Sequence, residues 1–132
     1  MFRSVMVNLF KQLFSRHPGS KENQPTVYHW PGVSGKTYEF QVHSLDASFR
    51  PLPGVYIYAR HLPDGDWDPV YIAQTRDLHQ RLEGHVSRAD AISKGATHLH
   101  AHYCSAGPAA RCGEEHDLVS RWQPVCNEQL ET

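Results

Sequence analysis

Residues 53–75 read Pro-Gly-Val-Tyr-Ile-Tyr-Ala-Arg-His-Leu-Pro-Asp-Gly-Asp-Trp-Asp-Pro-Val-Tyr-Ile-Ala-Gln-Thr. Two runs rich in aromatic and β-branched residues flank a polar connection that holds Pro63, Asp64-Gly65 and Pro69. That pattern predicts two strands joined as a hairpin. Side chains alternate along a strand, so Val55, Ile57 and Ala59 share one face and Tyr56 and Tyr58 the other. The second run brings Tyr71 back beside the first. Taken alone, these are core or edge tyrosines with a wet hydroxyl. Two tyrosines from adjacent strands also point toward one place.

Downstream of the hairpin the pattern turns helical. Asp77 is placed to cap a short helix, with Gln80 in a capping-box-like position and Leu78 and Leu82 facing inward. Arg81 and His85 are four apart and stack on one side of that helix. Ser87 and Asp90 open a second helix, and Gly95 closes it. Residues 97–103 alternate again and predict a strand with His98, His100 and His102 on one face. A last helix is expected from about residue 108 to 122, with Pro108 at its first position, Leu118, Val119 and Trp122 as its apolar face, and Pro124 stopping it. Glu115 falls on that same face. A carboxylate there is costly unless paired, metal-bound or open to a cleft, and Arg111 one turn earlier is a ready salt-bridge partner. Residues 125–127 are expected as an extended tail.

Upstream, residues 1–16 carry a helical stripe of Phe2, Val5, Met6, Leu9, Phe10, Leu13 and Phe14, with Arg3, Lys11 and Arg16 as the charges. Three readings fit: packing on the domain or on a second copy, lying on a membrane surface, or targeting. Residues 17–25 read as a linker. Residues 37–42 alternate and predict an added strand. The segment from Gly32 to Thr37 resembles a phosphate loop in composition only. Two residues separate its glycines where four are needed, so a turn is expected.

The 132 residues suffice for one domain with a modest core. A formal net charge of −1 lends no support to general nucleic-acid binding, although a local basic patch is enough for it. The three cysteines, Cys104, Cys112 and Cys126, have no zinc-ribbon spacing, which predicts free thiols in a reducing, cytoplasmic setting. No apolar run reaches transmembrane length.

Gly54-Val55-Tyr56, Tyr71-Ile72-Ala73-Gln74-Thr75-Arg76-Asp77-Leu78 leading to Arg81-Leu82, and Glu115 followed by Leu118-Val119, Pro124 and Asn127 together resemble the GIY-YIG nuclease domain. The order of the motifs is also that family's. The resemblance covers about residues 53–127, and Ala73 stands where the family usually has glycine. It implies an α+β fold with a small three-stranded sheet flanked by helices. The N-terminal amphipathic helix and linker (1–25) and an extension with the added strand (26–52) precede the domain (53–132).

The resemblance also implies roles. Tyr56 and Tyr71 line the site, one of them orienting or deprotonating the attacking water. Arg81 holds the scissile phosphate, and Glu115 binds one divalent ion, Mg²⁺ or Mn²⁺. Asn127 anchors the tail or touches substrate, and His85 is a second substrate contact. The implied activity is metal-dependent endonucleolytic hydrolysis of DNA, in repair or recombination settings. The alternative is a catalytically weak module of the same fold that binds nucleic acid or a protein partner, the N-terminal helix supplying an interface or self-association. The chemistry is sound in itself: a phosphodiester needs a positioned water, a base, charge stabilisation and a metal. The three histidines of residues 98–102 fit either a transition-metal site or cleft-lining residues that meet phosphates when protonated.

Overall fold

A computed structural model of the chain describes residues 26–83 and 86–127. The expected helix over residues 1–16, the linker after it and His85 lie outside the described residues.

Five strands form one antiparallel sheet: β1 (Thr26–Pro31), β2 (Thr37–His43), β3 (Gly54–His61), β4 (Trp67–Thr75) and β5 (His98–Tyr103), in the spatial order β1-β2-β5-β3-β4. Three helices join them: α1 (Leu78–Leu82), α2 (Val86–Ser93) and α3 (Pro108–Trp122). The α+β class holds, but the sheet has five strands rather than three with one added. The difference lies in residues 26–31, where Val27, Tyr28 and Trp30 make a second hairpin with β2. That hairpin joins the free side of β5 through Gln41↔Ala101, Val42↔His100 and His43↔Leu99. Residues 26–52 and 53–127 therefore share one sheet.

Both faces of the sheet are covered, and the alternation within β3 decides which side chain goes where. Val55, Ile57 and Ala59 pack with Trp30, Phe40, Ile72 and Leu118 beneath α3. Tyr56 and Tyr58 pack on the other face with Tyr71, Ala73, Leu78, Leu82 and Ala91, beneath α1 and α2. Each large apolar side chain taken out of water here contributes about 1.5–3 kcal/mol.

Two local features position the tyrosines. The β3–β4 register runs regularly from Gly54↔Thr75 to Tyr58↔Tyr71 and then shifts, so that Ala59 pairs with Pro69. Val70 is the extra residue of a β-bulge, and Val70 and Tyr71 both enter the α1/α2 core. Pro69 is tolerated because β4 is an edge strand. Gly54 is required for close approach. A Cβ there would lie 2.5 Å from the His102 carbonyl oxygen and 2.5 Å from a Leu78 methyl. The absence of a side chain lets β3, β5 and α1 meet at the start of the tyrosine strand.

Between β1 and β2, the segment around Gly32 to Lys36 is a turn bound to α3. The Asp117 carboxylate accepts from the Ser34 backbone N–H, the Ser34 hydroxyl and the Tyr38 hydroxyl. These donors keep Asp117 below the usual carboxylate range, which leaves the turn's donors to an internal anion. The tail after α3 is a turn, not an extended segment: Gln123 takes a left-handed conformation (φ 45°), and the Asn127 N–H donates to the Pro124 carbonyl.

Candidate active site

The described tyrosines, arginine and glutamate named from the sequence come from four elements and meet at the β4 side of the sheet. Tyr56 (β3) and Tyr71 (β4) have ring centroids 6.1 Å apart, and Tyr58 lies 5.9 and 6.5 Å from them. The Arg81 guanidinium of α1 lies within electrostatic reach of the Tyr56 hydroxyl. Burial pushes its pKa well above the phenol range, the neighbouring Tyr71 and Tyr58 add to this, and Arg81 opposes it. Tyr56 is thus a protonated hydroxyl close to a cation. Arg81 itself is exposed, at the rim of the cluster.

Glu115 approaches from α3 on the other face, around the edge strand. Its carboxylate lies beside the outward-facing Gln74 backbone N–H of β4, and Arg81 and His116 lie within electrostatic reach. Half-burial raises its pKa above the ordinary 4.5, and those donors and cations oppose the rise. The expected Glu115–Arg111 pair is not formed. Arg111 is buried and donates its Nε–H to the Gln74 side-chain oxygen at 3.0 Å. Gln74 thereby meets two residues of α3: its side chain binds Arg111, and its backbone N–H lies beside Glu115. Sequence reading passed over Gln74; its place directly after Tyr71-Ile72-Ala73 is the available signal.

The buried stripe of α3 is Arg111, Glu114 and Leu118, with Glu115 at its margin. Glu114 was not anticipated. It pairs with His102 across the α3–β5 contact at 2.6 Å. Burial works against charge on His102, but the Glu114 hydrogen bond and charge outweigh it and leave the pKa raised.

One expectation is corrected. The histidines of β5 do not line the tyrosine site, because they alternate with Leu99 and Ala101 and so lie on the opposite face of the sheet. His100 is fully buried and accepts from the Trp30 indole N–H at 2.9 Å. Burial, with the charges of His98, His43 and His61, lowers its pKa to about 3, so it is neutral and unavailable to phosphate. Among the described residues no group of three or more His, Cys, Asp or Glu side chains is placed to hold a metal ion. Asn127 takes the tail-anchoring role, one of the two expected for it. It is buried, with both amide atoms bound to the backbone of Ile72.

Ala73, in the position usually glycine in the resembled family, packs its methyl into the tyrosine cluster opposite Tyr56. No family model, curated protein or solved structure matches the chain. Among the described residues no helix is long and apolar enough to cross a membrane.

Proposed function

We propose that the chain hydrolyses DNA phosphodiester bonds with the help of one divalent metal ion, as its resemblance to the GIY-YIG nucleases implies. One observation carries the reading: Tyr56, Tyr71, Arg81 and Glu115, drawn from two strands and two helices, sit around one edge of the sheet with Arg81 in reach of both Tyr56 and Glu115.

The residues fit a single Mg²⁺ or Mn²⁺ site. Glu115 is a half-buried carboxylate free of an arginine ion pair among the described residues, and one carboxylate with several waters is an ordinary Mg²⁺ arrangement. The ion supplies Lewis acidity and lowers the pKa of a water. Arg81 is exposed and permanently charged, suited to hold the scissile phosphate and offset the charge that builds on it. Tyr56 is held protonated, which favours orienting the water or a phosphate oxygen over removing a proton. Asn127 and Gln74 act indirectly, by fixing the edge strand and the Glu115 carboxylate.

The test is plasmid nicking with Mg²⁺ or Mn²⁺, alongside a Glu115→Ala variant checked for folding by circular dichroism. Metal-dependent nicking lost in the variant supports the proposal. Failure of the wild type to cut duplex, nicked and branched DNA with either ion would leave the module as a binding domain of the same fold.

A further inference from the structure

Tyr56 and Glu115 meet Arg81 on one flank of α1, and a cleft of about 190 Å³ involves the opposite flank. Arg81 and His79 are two residues apart, about 200° around the helix, on either side of the inward Leu78 and Leu82. The cleft has an apolar floor of Phe49 and Leu82, both buried, and a polar lining that includes Asp46, His79, Glu83 and Arg88.

Arg88 is the unusual member. It lies three residues before Ala91, which is fully buried in the tyrosine cluster, so its stem follows the inward face of α2. Its Nε is buried with no hydrogen-bond partner among the described residues, and no carboxylate there forms an ion pair with it. Arg88 lies within electrostatic reach of Asp46 without forming an ion pair with it. Asp46 accepts from the Ser44 hydroxyl at 2.7 Å, and Glu83 lies 3.8 Å from His79.

The cleft therefore combines an apolar floor, a cationic donor from α2, and carboxylate acceptors from the preceding loop and from α1. A bare phosphate would meet two carboxylates for one guanidinium. A flat, uncharged ring with donors and acceptors along its edge satisfies both kinds of group and covers the apolar floor. An unpaired nucleobase has that chemistry.

We infer that the cleft receives an unpaired nucleobase of the strand whose phosphate Arg81 holds. The width of α1, about 10 Å with side chains, sets the distance between the two flanks, so the base lies within a few nucleotides of the scissile bond. The preferred substrate is then DNA with unpaired bases beside the cut, rather than uniform duplex. This choice of ligand rests on the nuclease reading above.

Two measurements separate the cleft from that reading. Nucleosides and, separately, inorganic phosphate are titrated into the full chain while backbone amide signals of Phe49, Leu82 and Arg88 are followed by NMR. Nucleosides are expected to shift these signals and phosphate is not, and Arg88→Gln and Asp46→Asn are each expected to weaken nucleoside binding about tenfold. Cleavage rates are then compared for DNA with and without an unpaired base beside the cut. Wild type should favour the unpaired substrate by about tenfold, and Arg88→Gln should shrink that ratio. Absence of nucleoside shifts, shifts caused by phosphate instead, or variants that bind as wild type would overturn the inference even if the protein cuts DNA. Nucleoside binding by a protein that cuts no DNA would uphold the cleft as a base site and sink the nuclease reading alone.

Discussion

Asn127 closes the outer edge of β4 by pairing with Ile72 twice: its side-chain oxygen accepts from the Ile72 N–H, and its amide donates to the Ile72 carbonyl, each at 2.8 Å. One residue earlier, the Cys126 N–H donates to the Val70 carbonyl, and beyond Ile72 the Gln74 N–H faces the Glu115 carboxylate. The outward-facing groups at these positions of an edge strand are thus met by the tail and by the candidate metal-binding residue. Asn127→Ala leaves the buried Ile72 N–H and carbonyl unpaired, at a cost of about 1–3 kcal/mol for a group so orphaned. Urea denaturation should show a midpoint lowered accordingly. An unchanged midpoint would mean that the tail does not hold the strand.

Histidines on the α3 face set the pH range of stability. His100 has its folded pKa lowered to about 3 by burial and by the neighbouring His98, His43 and His61. The unfolded chain takes up that proton near pH 6.5 and the folded chain does not, so stability falls as pH drops below about 6.5. At about 1.4 kcal/mol per pH unit, the loss reaches about 2 kcal/mol by pH 5. His102 acts in the opposite sense. Its pKa is raised by Glu114, so its contribution is complete below the unfolded value and is lost as pH rises through the folded one. Denaturant midpoints measured from pH 4.5 to 9 should peak near neutrality. His100→Gln, which retains an acceptor for Trp30, should flatten the acid limb, and His102→Gln the alkaline limb.

The hairpin, the order of the helices and the inward Leu78 and Leu82 were legible in the sequence because each rests on local periodicity and caps. Gln80 N–H does donate to the Asp77 side chain. Residues 26–31 were harder. Val27, Tyr28 and Trp30 have strand propensity, but their pairing depends on β2 also joining β5, a contact across about sixty residues that no local pattern encodes. The same holds within α3. Helical spacing puts Glu115 near Leu118, Val119 and Trp122, but whether Glu114 or Glu115 is buried depends on His102 arriving from β5. Spacing likewise made Arg111 the obvious partner of Glu115, and only the sheet edge reveals that Gln74 engages both.

Tyr58 offers a test of the tyrosine cluster that needs no substrate. It is fully buried, its hydroxyl has no hydrogen-bond partner among the described residues, and burial pushes its pKa up to about 12 against the opposing pull of Arg88. An unpaired buried hydroxyl is a cost, whereas an apolar group of the same shape is not. Tyr58→Phe should therefore raise thermal stability by about 1 kcal/mol, a shift of a few degrees in Tm. A drop in Tm would show that the hydroxyl has a partner in solution.

Glu115 provides the sharpest pH signature of the proposed chemistry. Burial raises its pKa above the ordinary glutamate value, so protonation competes with metal at a higher pH than for an exposed carboxylate. Mn²⁺ affinity, measured calorimetrically on the full chain, should fall as pH is lowered through that raised value. Glu115→Gln should bind Mn²⁺ weakly at every pH. Arg111→Met frees Gln74 and loosens the backbone N–H that faces Glu115, and it should weaken Mn²⁺ binding while the carboxylate remains. Tyr56→Phe removes the hydroxyl that faces Arg81 without touching the carboxylate, so it should leave Mn²⁺ affinity near wild type and lower the cleavage rate by about 100-fold or more. A Tyr56→Phe protein that loses metal, or a Glu115→Gln protein that keeps it, would place the ion elsewhere and return Glu115 to a structural clasp on β4.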